Sequence, residues 1–174
     1  MRHIKLLLLI ASLSCLSLHC KKESELDKLP PATAIGANTF GCLMNGKAWP
    51  MGRGGYHYNY IFYELGVLHI HYAIKINEHD PVDNEWLSFT TNKIHTPGFY
   101  FVPFTYDTDF FSVNYNNVFY RTGAVGVPNG MAYITISRLD SSNNIVSGTF
   151  DFSLYNQEGT KKIKVSSGRF DFHY

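Results

Sequence analysis

Charged residues are scarce in this sequence, and neither sign predominates. Asp, Glu, Lys and Arg together make up 17% of the 174 residues, and the formal net charge is +1. A protein that binds nucleic acid normally carries a basic stripe, because affinity for the phosphate backbone depends on cations that neutralise it. The composition therefore predicts no nucleic-acid partner.

The sequence also lacks the common motifs of catalysis. It contains no Gly-rich phosphate loop, no Gly-x-Ser-x-Gly elbow and no nucleophile that sits beside an ordered base. This absence argues against an enzyme, although three histidines of the sequence leave a metal-dependent reaction open. Nothing in the residues calls for a cofactor.

Helical periodicity is missing as well, whereas aromatic residues reach 16%. Aromatic and β-branched side chains suit half-buried pleated surfaces. Turn signals such as Asn45-Gly46, Pro97-Gly98 and Glu158-Gly159 separate short alternating runs, which is typical of antiparallel hairpins. We therefore predict an all-β fold over residues 39–174, a single antiparallel β-sandwich or small β-barrel of about nine or ten strands.

The N-terminus has the organisation of an export signal. Residues 1–5 are cationic, and the apolar run over residues 6–18 is too short to span a bilayer as a stable helix. This pattern predicts a lipoprotein signal peptide over residues 1–19. Residues 20–38 are polar after the cysteine and contain Pro30-Pro31, which predicts a lipidated cysteine followed by a flexible tether.

Two cysteines compete as the lipid anchor. Cys20 precedes the polar run over residues 21–25, as the first residue of a mature lipoprotein does, but His19 stands where lipoprotein signal peptidases prefer a small residue. Cys15 follows Ser12-Leu13-Ser14, which fits that preference better. Either cysteine would carry several acyl chains, which hold a protein firmly on a bilayer. The membrane is therefore a predicted partner, through Cys20 or alternatively Cys15.

If Cys20 is acylated, Cys42 is the only unmodified thiol of the mature chain, and it cannot form an intramolecular disulfide. Its neighbours over residues 40–44 are mostly apolar, and no Cys-His-Asn arrangement of the protease type surrounds it. We expect a buried, unreactive thiol.

The clearest hairpin joins residues 56–63 to residues 67–76 through Glu64-Leu65-Gly66. Read as a three-residue loop with Gly in the left-handed position, it pairs Tyr63 with Val67 and Asn59 with His71. One face of this hairpin is then entirely apolar and is predicted to be core. Its members are Tyr58, Tyr60, Phe62, Leu68, Ile70 and Tyr72.

The C-terminal part alternates in the same way. Phe150, Phe152 and Leu154 form one inward row, and Ala132, Ile134 and Ile136 form another. Further on, the apolar positions change parity between residues 163–165 and residues 170–174, so one extra residue is required to keep both groups inward. Ser166-Ser167-Gly168 is the predicted bulge.

Three histidines form a candidate metal site. His69 and His71 are two residues apart and point the same way, and in the predicted pairing His57 lies diagonally from His71. Zinc in catalytic sites takes three protein ligands and keeps one position open. The simpler interpretation is a solvent-facing row of polar residues interleaved with Asn59.

Aromatic rings crowd the strands between residues 99 and 120, and they occupy both alternating sets. Some must therefore reach the surface, where flat amphipathic rings stack on sugars or anchor a protein partner. The candidate ligand-binding residues are Tyr100, Tyr106, Tyr115 and Tyr120. The alternative is that most of these rings fill the core or shield an edge.

Both ends of the folded part resemble a known family. Leu29-Pro-Pro-Ala-Thr33, the run from Gly36 to Trp49, Ser147-Gly-Thr-Phe-Asp-Phe152 and Gly168-Arg-Phe-Asp171 are similar to a family of uncharacterised small lipoproteins of the Bacteroidota envelope. Residues 52–130 have no counterpart in this resemblance. The family has no established activity, so the resemblance implies a lipoprotein, favours Cys20 and implies no catalytic residues.

Glu23 and Glu25 follow Cys20 closely, and they resemble the export signals of such lipoproteins, although Lys21 and Lys22 dilute the pattern. We expect a lipid-anchored protein of the cell envelope, in the outer membrane, either periplasmic or surface-exposed. Three functions stay open. The first is a non-catalytic module that binds a glycan or an envelope protein. The alternatives are a lipocalin-like carrier of a small hydrophobic ligand and a metal-dependent hydrolase that uses the three histidines.

Overall fold

The computed structural model describes residues 23–50, 55–75, 79, 84–92, 94–104, 109–123 and 130–174. The described residues form eleven strands in one antiparallel sheet, which confirms the predicted all-β antiparallel fold with slightly more strands than expected. The strands are β1 (Thr39–Met44), β2 (Lys47–Trp49), β3 (Tyr56–Glu64), β4 (Val67–Lys75), β5 (Glu85–Thr91), β6 (Gly98–Pro103), β7 (Phe110–Tyr115), β8 (Val118–Arg121), β9 (Met131–Asp140), β10 (Ile145–Asn156) and β11 (Lys162–His173). Within these ranges, no helix is long and apolar enough to cross a bilayer.

The sheet divides at β10. The main order of strands is β2-β1-β11-β10-β8-β7-β5-β4-β3. Along residues 145–152 β10 pairs with β9, which in turn pairs with β6, whereas Tyr155 and Asn156 pair with β8. One long strand therefore serves two branches of the sheet.

The two halves of the sheet fold over one another. The ring of Phe40 on β1 stacks on Tyr72 of β4 with centroids 4.7 Å apart, although these strands are far apart in the order of the sheet. Phe89 on β5 likewise contacts Phe150 on β10 at 5.5 Å. We call β6-β9-β10-β11-β1-β2 the first layer and β3-β4-β5-β7-β8 the second layer. A continuous apolar core lies between them.

The inward rows predicted for the C-terminal part are confirmed. Phe150, Phe152 and Leu154 are buried, as are Ala132, Ile134 and Ile136. The predicted bulge is confirmed too, because Phe150 pairs with Gly168 whereas Phe152 pairs with Val165, which leaves one extra residue on β11. A side chain at Gly168 would overlap the ring of Phe150, so glycine is required there for close packing.

The predicted pairing of the first hairpin is wrong by one residue. Glu64 pairs with Val67, so the loop contains only Leu65 and Gly66, both with positive φ (50° and 87°). Two consecutive residues of this kind form the tight hairpin turn whose twist matches the strands. A shift of one residue sends every side chain of β3 to the opposite face. Tyr58, Tyr60 and Phe62, predicted to be core, therefore point outward and are exposed.

The segment before β1 lies against the first layer. The Glu25 carboxylate accepts a hydrogen bond from the Ala48 N–H at 2.8 Å. The Arg169 guanidinium donates to the Pro30 carbonyl, and the Arg138 guanidinium donates to the Ala34 carbonyl, both at 2.9 Å. Part of the segment predicted to be a tether is thus in contact with the domain. The predicted signal peptide and both candidate anchor cysteines lie outside the described residues.

Asp171 holds this segment most firmly. Its carboxylate accepts hydrogen bonds of 2.5 to 3.1 Å from the N–H groups of Ile35, Gly36 and Ala37 and the hydroxyls of Thr33 and Ser147. Burial disfavours the charged form, but the hydrogen bonds from Ser147, Thr33 and the backbone outweigh burial and hold the pKa of Asp171 well below its ordinary value. A charged group on β11 therefore fixes the chain that leads into β1.

Candidate functional site on the outer face of the second layer

The outer face of the second layer carries an unusual number of aromatic rings. Cross-strand pairing brings alternate residues of β3, β4, β5, β7 and β8 to this side. We call this surface the aromatic face; its rings belong to Tyr56, Tyr58, Tyr60, Phe62, His69, His71, Trp86, Phe110 and Phe119. Tyr60 is 59% exposed, and Tyr58, Phe62 and Phe119 are near 40%.

Four of these rings form a continuous ladder across the strands. The centroids of Tyr58 and His71 lie 5.6 Å apart, those of His71 and Trp86 lie 5.8 Å apart, and those of Trp86 and Phe119 lie 5.6 Å apart. Lys75 Nζ lies 5.0 Å from the Tyr58 ring centroid, within range of a cation–π contact. Each ring therefore contacts the next, and the ladder forms a continuous aromatic surface.

A row of polar side chains runs beside the ladder. Cross-strand pairing places His71 opposite Ser88, Ser88 opposite Ser112, and Ser112 opposite Arg121. Ser88 and Ser112 are buried, and Arg121 is half-buried. Ser112 Oγ and Arg121 Nε have no hydrogen-bond partner within the part of the chain that the structure describes. The aromatic face thus combines ring surfaces with polar groups whose hydrogen bonding is incomplete.

The three histidines of the predicted metal site do not share one face. His69 and His71 point outward, whereas His57 lies on the inner side of β3, where its Nδ1 is 3.4 Å from the Tyr72 hydroxyl. His69 Nδ1 lies 2.7 Å from Thr90 Oγ1, and burial, followed by the neighbouring His71, lowers the pKa of His69. Across the described ranges, no group of three His, Cys, Asp or Glu side chains is placed to hold a metal ion.

The described tyrosines among the predicted ligand-binding residues pack in the core or bond within a turn. Tyr115 and Tyr120 are buried in the core between the layers. The Tyr100 hydroxyl donates to the Thr96 carbonyl and accepts from the Thr96 N–H at 3.0 Å, so it closes the turn before β6. Tyr106 lies outside the described residues. None of the three described tyrosines belongs to the aromatic face.

Cys42 is fully buried and packs in the core. Burial, followed by the nearby charge of Asp151, raises the pKa of its thiol far above the ordinary value. The thiolate is therefore suppressed at neutral pH, which accords with an unreactive thiol.

A smaller set of exposed rings lies on the outer side of the first layer. Phe99 and Phe101 on β6 flank Tyr133 on β9, with centroid distances of 6.1 and 5.6 Å. A groove of about 390 Å³ begins at Tyr133 and extends to β11, where Lys162 Nζ lies 5.6 Å from the ring centroid of Tyr155. These rings form a separate cluster on the outer side of the other layer.

The sequence predicted surface rings but not their positions. Trp86 alternates with Leu87 at the start of β5, and both are apolar, so the direction of each could not be assigned from parity alone. On β3 the error in the hairpin loop reversed the assignment of Tyr58, Tyr60 and Phe62. A two-residue loop at Leu65-Gly66 was the signal that would have placed them outward.

The family match covers more than half of the chain. A model described as a domain of unknown function, DUF6252, matches residues 73–171, which run from β4 to β11. The match includes much of the middle region that the resemblance to envelope lipoproteins left unplaced, and it begins after the N-terminal runs on which that resemblance rested. No curated protein and no solved structure matches the chain. The chain belongs to the DUF6252 family, whose function is unknown.

Proposed function

We propose that this protein is a lipid-anchored, non-catalytic module of the cell envelope that binds a glycan on the aromatic face. The observation that carries the proposal is the ladder Tyr58–His71–Trp86–Phe119 beside the polar row. The expected anchor is Cys20, or alternatively Cys15, and the expected location is the outer membrane of a Bacteroidota envelope, on the sequence features given above.

The chemistry of the aromatic face suits a sugar chain. The C–H faces of a pyranose ring are apolar and pack on the flat faces of aromatic side chains, while the ring hydroxyls require hydrogen-bond partners at the same time. Trp86 and Phe119 offer the ring surfaces. Arg121, at the end of the polar row beside them, is half-buried, so part of its side chain lies at the surface.

The shape of the surface favours an extended ligand over a small enclosed one. The ladder spans five strands of the sheet, from β3 to β8, with one ring each from β3, β4, β5 and β8, and each ring contacts the next. The space between the layers is instead filled by buried side chains, among them Phe89, Phe111 and Phe150. This filling gives little support to the alternative of a carrier that holds its ligand inside the fold.

Binding can be tested with the purified full-length chain and a panel of soluble neutral polysaccharides. We expect retarded migration in affinity electrophoresis with at least one polysaccharide, and Trp86→Ala should raise the dissociation constant obtained from it about fivefold, because each stacked ring contributes on the order of 1 kcal/mol. Phe99→Ala, a ring of the other layer, is the matched control and should bind as the wild type does. Equal losses in the two variants, or no retardation with any polysaccharide, would contradict the proposal.

The anchor can be tested separately by metabolic labelling with a palmitate analogue. Cys20→Ser should abolish incorporation of the label, and Cys15→Ser should leave it unchanged. The reverse result would assign the anchor to Cys15, and full labelling of the double variant would contradict lipidation at either cysteine.

A further inference from the structure

The exposed edge of β3 is the least protected part of the sheet. Among the described residues β3 pairs only with β4, and this pairing runs without a break from Tyr56 to Glu64. Strand edges are usually kept short, bent by a bulge, or guarded by proline or lysine. β3 has nine residues, no bulge in its pairing, and neither proline nor lysine.

The edge strands β2 and β6 are better protected than β3. β2 has only three residues, and β6 has six and ends at Pro103. β3 is also exposed on both sides at its beginning, since His57 and Asn59, which point toward the first layer, are as open to solvent as Tyr58 and Tyr60. A strand from another chain can therefore approach β3 without displacing anything from the described part of the molecule.

The hairpin turn determines which backbone groups face this edge. The turn joins Glu64 to Val67 by a hydrogen bond, and hydrogen-bonded pairs alternate along an antiparallel ladder. The even-numbered residues of β3 therefore bond to β4. The N–H and C=O groups of the odd-numbered residues point away from the sheet; these residues are His57, Asn59, Ile61 and Tyr63.

We propose that β3 pairs with β3 of a second copy of this chain, antiparallel and about a two-fold axis at Tyr60. In this register Asn59 lies opposite Ile61 of the second copy, so all four odd-numbered residues find hydrogen-bonded partners on the other strand. No other two-fold register of the nine-residue strand pairs all four.

The side chains also favour a second copy as the occupant. Tyr60 meets Tyr60, and Tyr58 meets Phe62, on the outer side of the joined sheet; aromatic cross-strand pairs of this kind stabilise antiparallel strands. Glu64 is the only charged residue of β3, and it lies opposite Tyr56, so no like charges face each other. The pairing would join two aromatic faces into one continuous surface.

The register can be tested by cross-linking variants of the full-length chain that each carry one introduced cysteine. Residues at the two-fold position form a non-hydrogen-bonded pair with Cα atoms about 4.5 Å apart, which is within the range of a disulfide. Under mild oxidation Tyr60→Cys should form a covalent dimer at least tenfold faster than Thr135→Cys, an exposed control on β9. The wild type supplies the background from its own cysteines. Equal rates for the two variants, or faster cross-linking by Tyr58→Cys, would overturn the proposed register.

A second variant tests whether the edge itself makes the contact. Asn59→Pro removes an N–H that points away from β4, so it should spare the hairpin and reduce the cross-linking of Tyr60→Cys to the control level. Its unfolding midpoint is measured first, and if the proline unfolds the chain, Asn59→Lys places a guarding charge at the same point. Undiminished cross-linking in the folded variant would overturn the proposal. This pairing does not rest on glycan binding, and either can fail alone.

Discussion

Strands β11 and β3 both carry alternating aromatic residues, and they use them in opposite ways. β11 lies between β1 and β10, and its rings Phe170 and Phe172 are buried between the two layers. β3 has one neighbour among the described strands, and four of its rings are exposed. The same residue types thus contribute folding free energy on the strand with two neighbours, and remain exposed on the strand with one.

The largest expected difference between the strands is the stability lost when a phenylalanine is removed from each. Phe172→Ala should lower the free energy of unfolding by about 3–5 kcal/mol, because it removes a fully buried ring and leaves a cavity. Phe62→Ala on β3 should cost less than about 1 kcal/mol, since its ring is 38% exposed. Urea unfolding followed by tryptophan fluorescence measures both, and equal losses would remove the distinction.

Loss of a carboxylate should likewise destabilise the protein more on β11 than on β3. Asp171→Asn should cost about 2–4 kcal/mol, because it weakens five hydrogen bonds to a buried charge and leaves an amide group without suitable partners. Glu64→Gln on β3 is the control, and its unfolding midpoint should match that of the wild type. An unchanged midpoint for Asp171→Asn would show that the N-terminal segment contributes little to stability.

The charge of Asp171 also predicts a dependence of stability on pH. Its pKa in the folded state lies below the ordinary value of 3.8, so the folded chain binds fewer protons than the unfolded chain. The stabilisation is complete well above the unfolded pKa of 3.8 and is lost as the pH falls through that value toward the lower folded pKa. The wild type should therefore lose stability between about pH 5 and pH 2 more steeply than Asp171→Asn. Parallel slopes would contradict the assignment of the charge to this site.

Tyr63 offers the smallest and finest comparison, because it belongs to β3 but points inward. Its hydroxyl donates to the Ile94 carbonyl at 3.0 Å, so Tyr63→Phe should cost about 1 kcal/mol. Tyr60→Phe, on the outward row of the same strand, should be neutral for the unfolding midpoint of the monomer. Thermal unfolding of the two variants in parallel would show whether the inner row of β3 contributes to the fold.

The sequence predicted β11 and misassigned β3 for a physical reason. On β11 the inward positions are apolar and the residues between them are polar (Lys, Ser, Arg and Asp), so the change of parity revealed a bulge. On β3 one row is Tyr and Phe and the other is His, Asn, Ile and Tyr, so neither is clearly polar. The register therefore depended on the length of the loop. The two-residue loop was missed because Leu65 adopts a positive φ, which residues other than Gly, Asn and Asp seldom do.

The candidate site was only partly predictable for the same reason, because alternation did not show which rings point outward. Rings at the surface were predictable because aromatic residues occupy both alternating sets of positions on successive strands. Their identity depended on parity, and Tyr115 and Tyr120 proved to be buried while Trp86 and Phe119 form the ladder. The contact of Trp86 with Phe119 depends on the pairing of β5 with β7, which are separated in the sequence by β6, and no local pattern specifies that pairing.

The contacts that hold the segment before β1 also define a mechanical path. Tension applied at the N-terminus reaches Glu25 and its bond to Ala48 first, then Pro30 and Arg169, and then the cluster around Asp171. Each of these attachments can yield singly and can re-form when the load is released. The strands of the sheet bear the load only after the attachments have opened, so a chain tied down at its N-terminus gains several residues of recoverable slack before its fold is strained.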